Sequence, residues 1–328
     1  MGDGPSTKPW ALILAAGDGT RLRELTTAPS GTAIPKQFCA LRCGPTLLDA
    51  ALARAAAVAS SDRTCVVVAK DHRYWWEPQL RALPAANIIV QPRNRGTANG
   101  ILLPLLGILQ RDAGARLVLL PSDHHVSEEE VLARALRRGV EQLRWRGDAV
   151  TLLGIEPEMP DPQLGYIVPG PGDGCGAFEV IRFVEKPGAA QAREEIARGA
   201  LWNAFILIST ARALLDLFWR RSPQIVTAMR EALRRAAGVE GQGSALDELY
   251  EKLPTIDFSR DVLQSQEARL RVLPVPSCGW SDLGTPERVA VTLRRTPAPR
   301  RDRGFALEEG HWSLAAQQER LLGRSIGV

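Results

Sequence analysis

Short apolar runs alternate with longer amphipathic segments along the first half of the chain. The runs have the length and composition of buried strands, and they cover residues 10–16, 64–69, 87–91, 116–120 and 149–155. The segments between them have helical spacing, and they cover residues 46–60, 97–111 and 128–145. Because the strands are apolar throughout and alternate with helices, the pattern predicts an α/β fold with a doubly wound, mostly parallel sheet.

The second half of the chain has a less regular pattern. We predict strands at residues 165–168, 178–184 and 270–274, and helices at 191–198 and 223–237. From residue 296 the composition changes to proline and arginine, and a helix-like stretch follows at 314–322. We therefore predict one domain over residues 8–294 and a C-terminal tail or small appendage over residues 295–328.

Three polar segments follow predicted strands, at residues 17–22, 91–98 and 122–125. Ligands of open α/β sheets bind beyond the carboxyl ends of the strands. We therefore expect these three segments to lie together on one rim of the sheet.

The first of these segments reads Gly17-Asp18-Gly19-Thr20-Arg21-Leu22. It lacks the third glycine of a dinucleotide fingerprint, since Leu22 stands there, and it lacks the Gly-Lys-Ser/Thr ending of a P-loop. Two glycines let backbone N–H groups approach phosphate, and an arginine adds a planar charged fork. The alternative is an ordinary strand-to-helix turn with a surface arginine.

Further motifs follow this loop in a fixed order. They are Pro35-Lys36-Gln37-Phe38, Pro121-Ser122-Asp123-His124, Gly165-Tyr166-Ile167, Phe183-Val184-Glu185-Lys186-Pro187, Leu201-Trp202-Asn203, Ile256-Asp257-Phe258 and Trp280-Ser281-Asp282-Leu283-Gly284. Together they resemble the sugar-1-phosphate nucleotidylyltransferases, and in particular the mannose-1-phosphate guanylyltransferase branch. The resemblance runs from about residue 10 to about residue 294, so it implies that residues 8–294 form a nucleotidyltransferase catalytic domain.

The resemblance implies an enzyme that joins a nucleoside triphosphate to a sugar 1-phosphate and releases pyrophosphate. GTP and mannose 1-phosphate are the favoured pair. Another sugar 1-phosphate or a pyrimidine triphosphate stays open, as does a non-catalytic protein that binds a nucleotide sugar. A glycosyltransferase is less well supported, because its Asp-x-Asp motif does not occur in a suitable place.

The resemblance also assigns roles to individual residues. Arg21 and Lys36 are expected on the nucleotide phosphates, and Lys186 on the sugar phosphate. Asp123 and Asp282 are expected to share one Mg²⁺, a hard cation that prefers oxygen ligands. The expected nucleotide-binding residues are Ala15, Ala16, Gly17, Gly19, Thr20, Gln91, Gly96 and Thr97, and the expected sugar-binding residues are Gly165, Glu185 and Asn203.

The sequence departs from the branch pattern at the two recognition pockets. Gln91-Pro92 replaces an expected Glu-Pro, and a glutamine near this place reads the base in pyrimidine-using relatives. Ala204-Phe205-Ile206 replaces the usual Ser/Ala-Gly-Met after Asn203. These departures leave the base and the shape of the sugar pocket open.

Composition narrows the partners and the compartment. The net charge is +4, with 41 basic and 37 acidic residues, which suits phosphate-bearing substrates but not a nucleic-acid-binding protein. No apolar run approaches the ~20 residues that span a bilayer, so we expect no membrane partner. Five cysteines without a Cys-x-x-Cys pair favour a reducing cytoplasm. Oligomeric state stays open, with a homodimer among the options.

Overall fold

The computed structural model describes residues 8–28, 30–145, 147–237, 244–296 and 313–317. Within these ranges nine strands form one sheet in the order β3-β2-β1-β4-β8-β5-β9-β7-β6. The strands are β1 (Trp10–Ala15), β2 (Thr64–Ala69), β3 (Ile88–Gln91), β4 (Arg116–Pro121), β5 (Val150–Ile155), β6 (Gly165–Gly172), β7 (Phe178–Glu185), β8 (Leu201–Thr210) and β9 (Leu270–Val275). The helices are α1 (Arg23–Thr26), α2 (Leu47–Ala56), α3 (Arg73–Gln79), α4 (Gly96–Arg111), α5 (Glu129–Gln142), α6 (Ala189–Ala197), α7 (Ala211–Arg221), α8 (Pro223–Ala237), α9 (Ser244–Lys252) and α10 (Pro286–Arg295).

The first half of the sheet is parallel and covered on both faces. β1 pairs in parallel with β2 and β4, and β2 pairs in parallel with β3. Alternate residues of β1 enter different apolar clusters: Ile13 packs in the cluster that contains Leu48 of α2, and Leu12 in the cluster that contains Ile101 of α4. The predicted α/β fold with helices on both faces is therefore confirmed.

The second half of the sheet adds antiparallel pairs. The long strand β8 lies between β4 and β5 and is antiparallel to both, while β5 and β9 pair in parallel. The strands β6 and β7 close this edge with antiparallel pairs. The sequence pattern gave no prediction of β8 beyond its first three residues, because small and polar side chains interrupt its apolar run.

A bulge in β8 shapes the start of that strand. Leu207 pairs with Leu152 of β5 and Asn203 pairs with Gly154, so three residues of β8 face one residue of β5 between these pairs. Phe205, at the centre of the bulge, has a left-handed backbone with φ of 56°. The Asn203 side chain supports it by accepting a hydrogen bond from the Phe205 N–H at 3.1 Å.

A loop from near the end of the chain docks onto the rim formed by β1, β3 and β4. His125 and Ser281 exchange two backbone hydrogen bonds of 2.8 and 2.9 Å. The N–H groups of Ser127 and Glu128 both donate to the Cys278 carbonyl at 3.0 Å. This backbone pairing carries Asp282 to the loop that follows β4.

The C-terminal segment 313–317 contacts the loop that follows Phe38. Leu314 is fully buried, and its N–H donates to the Ala40 carbonyl at 2.9 Å. The Ala315 N–H donates to the Leu41 carbonyl at 3.0 Å. The predicted division between residues 294 and 295 stays a prediction, since most of the tail, including most of the helix-like stretch 314–322, lies outside the described residues.

The start of α4 fits closely against the segment before Phe258. Gly96 has φ of 82°, and a Cβ atom there would overlap the backbone of Ile256. The Ile256 N–H donates to the Arg95 carbonyl, and the Ala98 N–H donates to the Ile256 carbonyl. The loop before α4 is thereby fixed to a distant part of the chain.

We expect Gly96→Ala to lower the free energy of unfolding by about 2 kcal/mol or more, because it combines a disfavoured φ with a backbone overlap. Gly107→Ala, in the same helix, is the matched control, since a Cβ there meets nothing within 4 Å. That change should raise stability by about 0.5–1 kcal/mol through helix propensity. Urea unfolding of both variants tests the pair, and equal effects would contradict it.

Candidate active site

Lys36 lies at the centre of the rim with its side chain buried. Its Nζ forms an ion pair with Asp123 Oδ2 at 2.9 Å and donates to the main-chain carbonyls of Asp282 at 2.7 Å and Leu283 at 3.3 Å. An ammonium group has three N–H donors, so these contacts use all of them. Lys36 therefore joins the loop after β4 to the loop before α10.

The predicted contact between Lys36 and the nucleotide phosphates stays a prediction. The resemblance implied a direct contact with the nucleotide phosphates beside Arg21. In the structure the Lys36 side chain is 5% exposed and its three donors are engaged inside the protein. Its charge acts on the site through Asp123 and the 282–283 backbone.

Asp123 presents a partly exposed carboxylate next to this ammonium. Its side chain is 36% exposed, and Oδ1 lies 3.7 Å from His124 Nε2. Desolvation alone would raise the pKa of the Asp123 carboxyl, but Lys36, His124 and Arg21 together hold it below its ordinary value. Asp123 is therefore ionised at neutral pH.

Asp282 is held more tightly than Asp123. Its Oδ1 accepts a hydrogen bond from the Gly284 N–H at 3.0 Å and lies 2.6 Å from Arg288 Nη1. A Cβ at position 284 would overlap the Asp282 carboxylate, so the turn requires glycine there. Leu283 between them has a left-handed φ of 47°.

The two carboxylates suit a magnesium ion that is bound partly by substrate. Mg²⁺ commonly takes one or two protein carboxylates and completes its shell with water and substrate phosphates. Over the ranges that the structure describes, no three His, Cys, Asp or Glu side chains gather into a metal cluster. A pair of hard oxygen donors on adjacent loops fits this partial kind of Mg²⁺ site.

Gln37 supports the glycine loop from below. Its Nε2 donates to the carbonyls of Ala15 and Gly17, both at 2.9 Å. Gly19 has φ of 62°, and a Cβ there would lie 3.0 Å from the main-chain nitrogen of Lys36. The loop therefore has a fixed shape, with the buried Ala15 inside and the exposed Thr20 outside. Ala16 between the two anchored carbonyls is half-buried.

Arg21 lies exposed at the end of the glycine loop. Its Nη1 donates to Gln163 Oε1 at 3.1 Å. Gln163 belongs to the loop between β5 and β6, whose Asp161 accepts a hydrogen bond from the Gln163 N–H at 2.8 Å. Arg21 is thus positioned by the loop between β5 and β6.

The Gln91 side chain turns into the protein at the end of β3, and its predicted contact with the base stays a prediction. Its side chain is buried, its Nε2 donates to the Arg93 carbonyl at 2.7 Å, and its Oε1 would be 3.1 Å from a Cβ at Gly100 of α4. The structure therefore does not support a contact between this amide and the base. Gln91 instead fixes the turn that leads to α4.

Gly96 and Thr97, which are predicted to bind the nucleotide together with Gln91, lie at the rim. The Asn94 side chain joins the two loops, since its Nδ2 donates to Asp18 Oδ2 at 2.9 Å and its Oδ1 accepts from the Gly96 N–H at 3.0 Å. Thr97 is exposed, although its Oγ1 accepts a hydrogen bond from the Phe258 N–H at 2.8 Å.

The three predicted sugar-binding residues form one cluster. Gly165 pairs with Glu185 across β6 and β7. A Cβ at Gly165 would lie 2.6 Å from Glu185 Oε2 and 3.3 Å from Asn203 Cβ, so only glycine fits there. Burial raises the pKa of the Glu185 carboxyl, although Lys186 acts in the opposite direction.

Lys186 turns its ammonium back over this cluster. Its φ of 49° is left-handed, a strained conformation for a residue with a side chain. Its Nζ lies 3.1 Å from Glu185 Oε1, and its side chain is 41% exposed. Unlike Lys36, Lys186 therefore presents an accessible positive charge beside the sugar residues.

Comparison with known families agrees with this geometry. A family model described as Nucleotidyl transferase matches residues 10–292, which include every residue named above for the two pockets and both carboxylates. The chain belongs to the nucleotidyl transferase family. Over its described residues the chain has no helix long and apolar enough to cross a bilayer.

Two relatives at 32% identity show how far the similarity extends. Mannose-1-phosphate guanylyltransferase ManC of Salmonella typhimurium matches over 294 residues, which are 85% of this chain and 58% of the relative. A crystal structure from Thermus thermophilus, named mannose-1-phosphate geranyltransferase, superposes with a TM-score of 0.70. The match covers 84% of this chain and 76% of that one. The chain spans a little over half the length of the curated relatives that it matches.

A more distant structure shows the fold alone. The inositol-1-phosphate CTP transferase from T. maritima has a TM-score of 0.53 at 14% identity. The match covers 90% of this chain and 100% of that one. The shared sheet therefore extends well beyond transferases with similar sequences.

Sequence reasoning did not assign roles to several residues that shape the site. Gln37 stands inside a quoted motif, but its part in holding the glycine loop depends on the fold. Gln163, Asp161 and Arg288 carry no motif. Arg288 Nη1 lies 2.6 Å from Asp282 Oδ1 and 3.5 Å from Asp161 Oδ2. The contact with Asp161 joins segments that are more than 100 residues apart in the sequence.

His124 gives a pH-dependent prediction. Burial lowers its pKa from 6.5 to about 4, although Asp123 and Asp282 act in the opposite direction. Between pH 6.5 and 4 the unfolded chain therefore binds a proton that the folded protein does not, so the free energy of unfolding falls as pH decreases. The loss is on the order of 2–3 kcal/mol for a shift of this size.

We expect His124→Asn to flatten the stability profile over this window, and denaturant unfolding from pH 4.5 to 7.5 measures it. His125→Asn should flatten the profile separately, because burial lowers the His125 pKa to about 4 as well. Unchanged slopes in both variants would refute this account of the two histidines.

Proposed function

We propose that this chain transfers a nucleotidyl group from GTP to mannose 1-phosphate and forms GDP-mannose and pyrophosphate. The observation that carries the proposal is the meeting of three parts on one rim. They are a glycine loop fixed by Gln37, the two loops that carry Asp123 and Asp282 and are joined by Lys36, and the cluster of Gly165, Glu185 and Asn203 beside Lys186. The names of its relatives at 32% identity support this choice of nucleotide and sugar.

The reaction needs alignment and charge neutralisation more than acid–base chemistry. An oxygen of the sugar phosphate, already ionised at neutral pH, attacks the α-phosphorus and forms the new P–O bond. The bond to the β-phosphate breaks, and pyrophosphate leaves with its electron pair. Fixed cations that hold both phosphates in line therefore supply most of the acceleration.

The side chains divide this work between them. The Gly17–Gly19 backbone and Arg21 would hold the triphosphate, and Lys186 would hold the sugar phosphate from the opposite side. Glu185 and Asn203 would accept or donate hydrogen bonds to sugar hydroxyls, positioned by the bulge at Phe205. Asp123 and Asp282 would hold Mg²⁺, which neutralises phosphate charge when bound.

The cysteines support a reducing compartment for this reaction. All five thiols are free, and three of them, Cys39, Cys65 and Cys278, are buried. Disulfides are rare in proteins of the cytosol, where nucleotide substrates are made. We therefore propose a cytoplasmic location.

A pyrophosphate-release assay with Mg²⁺ tests the proposal. We expect the highest kcat/KM for GTP with mannose 1-phosphate in a matrix of nucleoside triphosphates and sugar 1-phosphates. Asp123→Asn should reduce kcat by about 100-fold or more and keep the fold, because it removes one of two metal carboxylates. A protein that releases no pyrophosphate with any pair, yet binds a nucleotide sugar, would be a binding protein instead.

Charge removal at Lys186 tests the division of the two phosphates. We expect Lys186→Met to raise KM for the sugar 1-phosphate about tenfold or more and to change KM for the triphosphate little, because a lost ion contact of about 1.4 kcal/mol is a factor of ten. Lys8→Met, just before β1 at the opposite end of that strand, is the control. A larger effect on the triphosphate would reject the assignment.

A further inference from the structure

Arg288 brings a positive charge to the carboxylate of Asp282 from inside the protein. It lies in the first turn of α10, where its N–H donates to the Thr285 Oγ1 cap at 3.3 Å. Its Nη1 is 2.6 Å from Asp282 Oδ1 and 3.5 Å from Asp161 Oδ2. The side chains of Arg288 and Asp161 are each 18% exposed, and that of Asp282 is 10% exposed.

The contact is mainly one of charge. The Arg288 nitrogens Nε, Nη1 and Nη2 are buried, and within the described part of the chain none has a partner in good hydrogen-bond geometry. A guanidinium that served only to hold a carboxylate would be expected to form a bidentate pair with it. Arg288 instead touches two carboxylates from different segments, which neutralises charge between them.

Each of the two proposed metal carboxylates therefore has its own internal cation. Lys36 Nζ is 2.9 Å from Asp123, and Arg288 Nη1 is 2.6 Å from Asp282. A divalent ion that bound here alone would lie next to two fixed positive charges. Charges interact more strongly in a partly buried site than in water, so these two cations oppose the entry of the bare ion.

A nucleoside triphosphate changes this balance. It carries several negative charges and supplies its own oxygen ligands to Mg²⁺. The ion would then reach the site already paired with phosphate, and the two internal cations would face a net negative complex. The same cations that oppose the bare ion favour the ion with its nucleotide.

We propose that Arg288 is a positioning residue that holds Asp282 and prevents the carboxylate pair from binding a bare divalent cation tightly, so that the metal ion binds together with the triphosphate. The proposal rests on the assignment of Asp123 and Asp282 to the metal in the proposed function. It concerns the nucleotide-free protein, so it can fail while that function stands.

The test is the binding of Mn²⁺ alone to the nucleotide-free protein. The electron paramagnetic resonance signal of the unbound ion measures how much Mn²⁺ stays free. We expect weak binding by wild type and an affinity at least about tenfold higher in Arg288→Met, because the nearest repelling charge is gone. Arg288→Lys keeps a charge and should bind Mn²⁺ nearly as weakly as wild type.

Two further variants make the result specific. In Arg288→Met/Asp282→Asn the gain in affinity should disappear, since the freed carboxylate is its source. In Arg288→Met/Asp161→Asn the gain should remain, and this variant removes the unpaired Asp161 charge if the single variant folds poorly.

Arg295→Met is the matched control. Like Arg288, Arg295 lies on α10, and it pairs at 2.7 Å with Glu158, which lies in the β5–β6 loop as Asp161 does. Both side chains of this pair are more than half exposed. It should leave Mn²⁺ affinity unchanged, and an equal gain there would overturn the proposal.

Tight Mn²⁺ binding by wild type, or a gain in Arg288→Met that persists without Asp282, would also overturn it. Turnover of GTP and mannose 1-phosphate by the wild-type enzyme is measured separately. Its absence would reject the proposed function without altering how the Mn²⁺ result is interpreted.

Discussion

The arrangement of the site depends on one buried ammonium group. Lys36 Nζ contacts a carboxylate that follows β4 and two carbonyls that lie about 160 residues further along the chain. The two carbonyls belong to buried residues and would lose a partner without it, and buried polar groups are costly when unpaired. The next residue, Gln37, fixes the glycine loop, so two adjacent side chains hold the glycine loop, the loop after β4 and the loop before α10 together.

The sheet brings the second half of the site to the same rim. β8 runs antiparallel between β4 and β5, and it pairs at its start with β6. This connection sets Asn203 beside Gly165 and Glu185, and the bulge at Phe205 turns the strand there. The left-handed residues Lys186 and Phe205 belong to these segments, and such strain is common where a chain holds a functional geometry.

Much of this could be predicted from sequence, and the failures have physical reasons. The parallel strands β1 to β4 are uninterrupted apolar runs, and their rim follows from the rule for parallel sheets. β8 carries the polar residues Asn203, Ser209 and Thr210, so its sequence lacks the continuous apolar run by which the other strands are recognised. The burial of Gln91 against α4 and the pairing of Arg288 with Asp282 are tertiary contacts that no local pattern contains. The motif around Lys36 predicts a residue of the site, but the partners of its ammonium depend on the fold.

The most direct test of this account is a crystal structure of the enzyme with Mg²⁺ and the product nucleotide sugar. The account predicts the ion between Asp123 and Asp282, with Lys36 still bonded to the carbonyls of residues 282 and 283. Lys186 should contact the phosphate on the sugar side. A structure in which Lys36 has left those carbonyls to bind the phosphates of the nucleotide sugar directly would contradict the account.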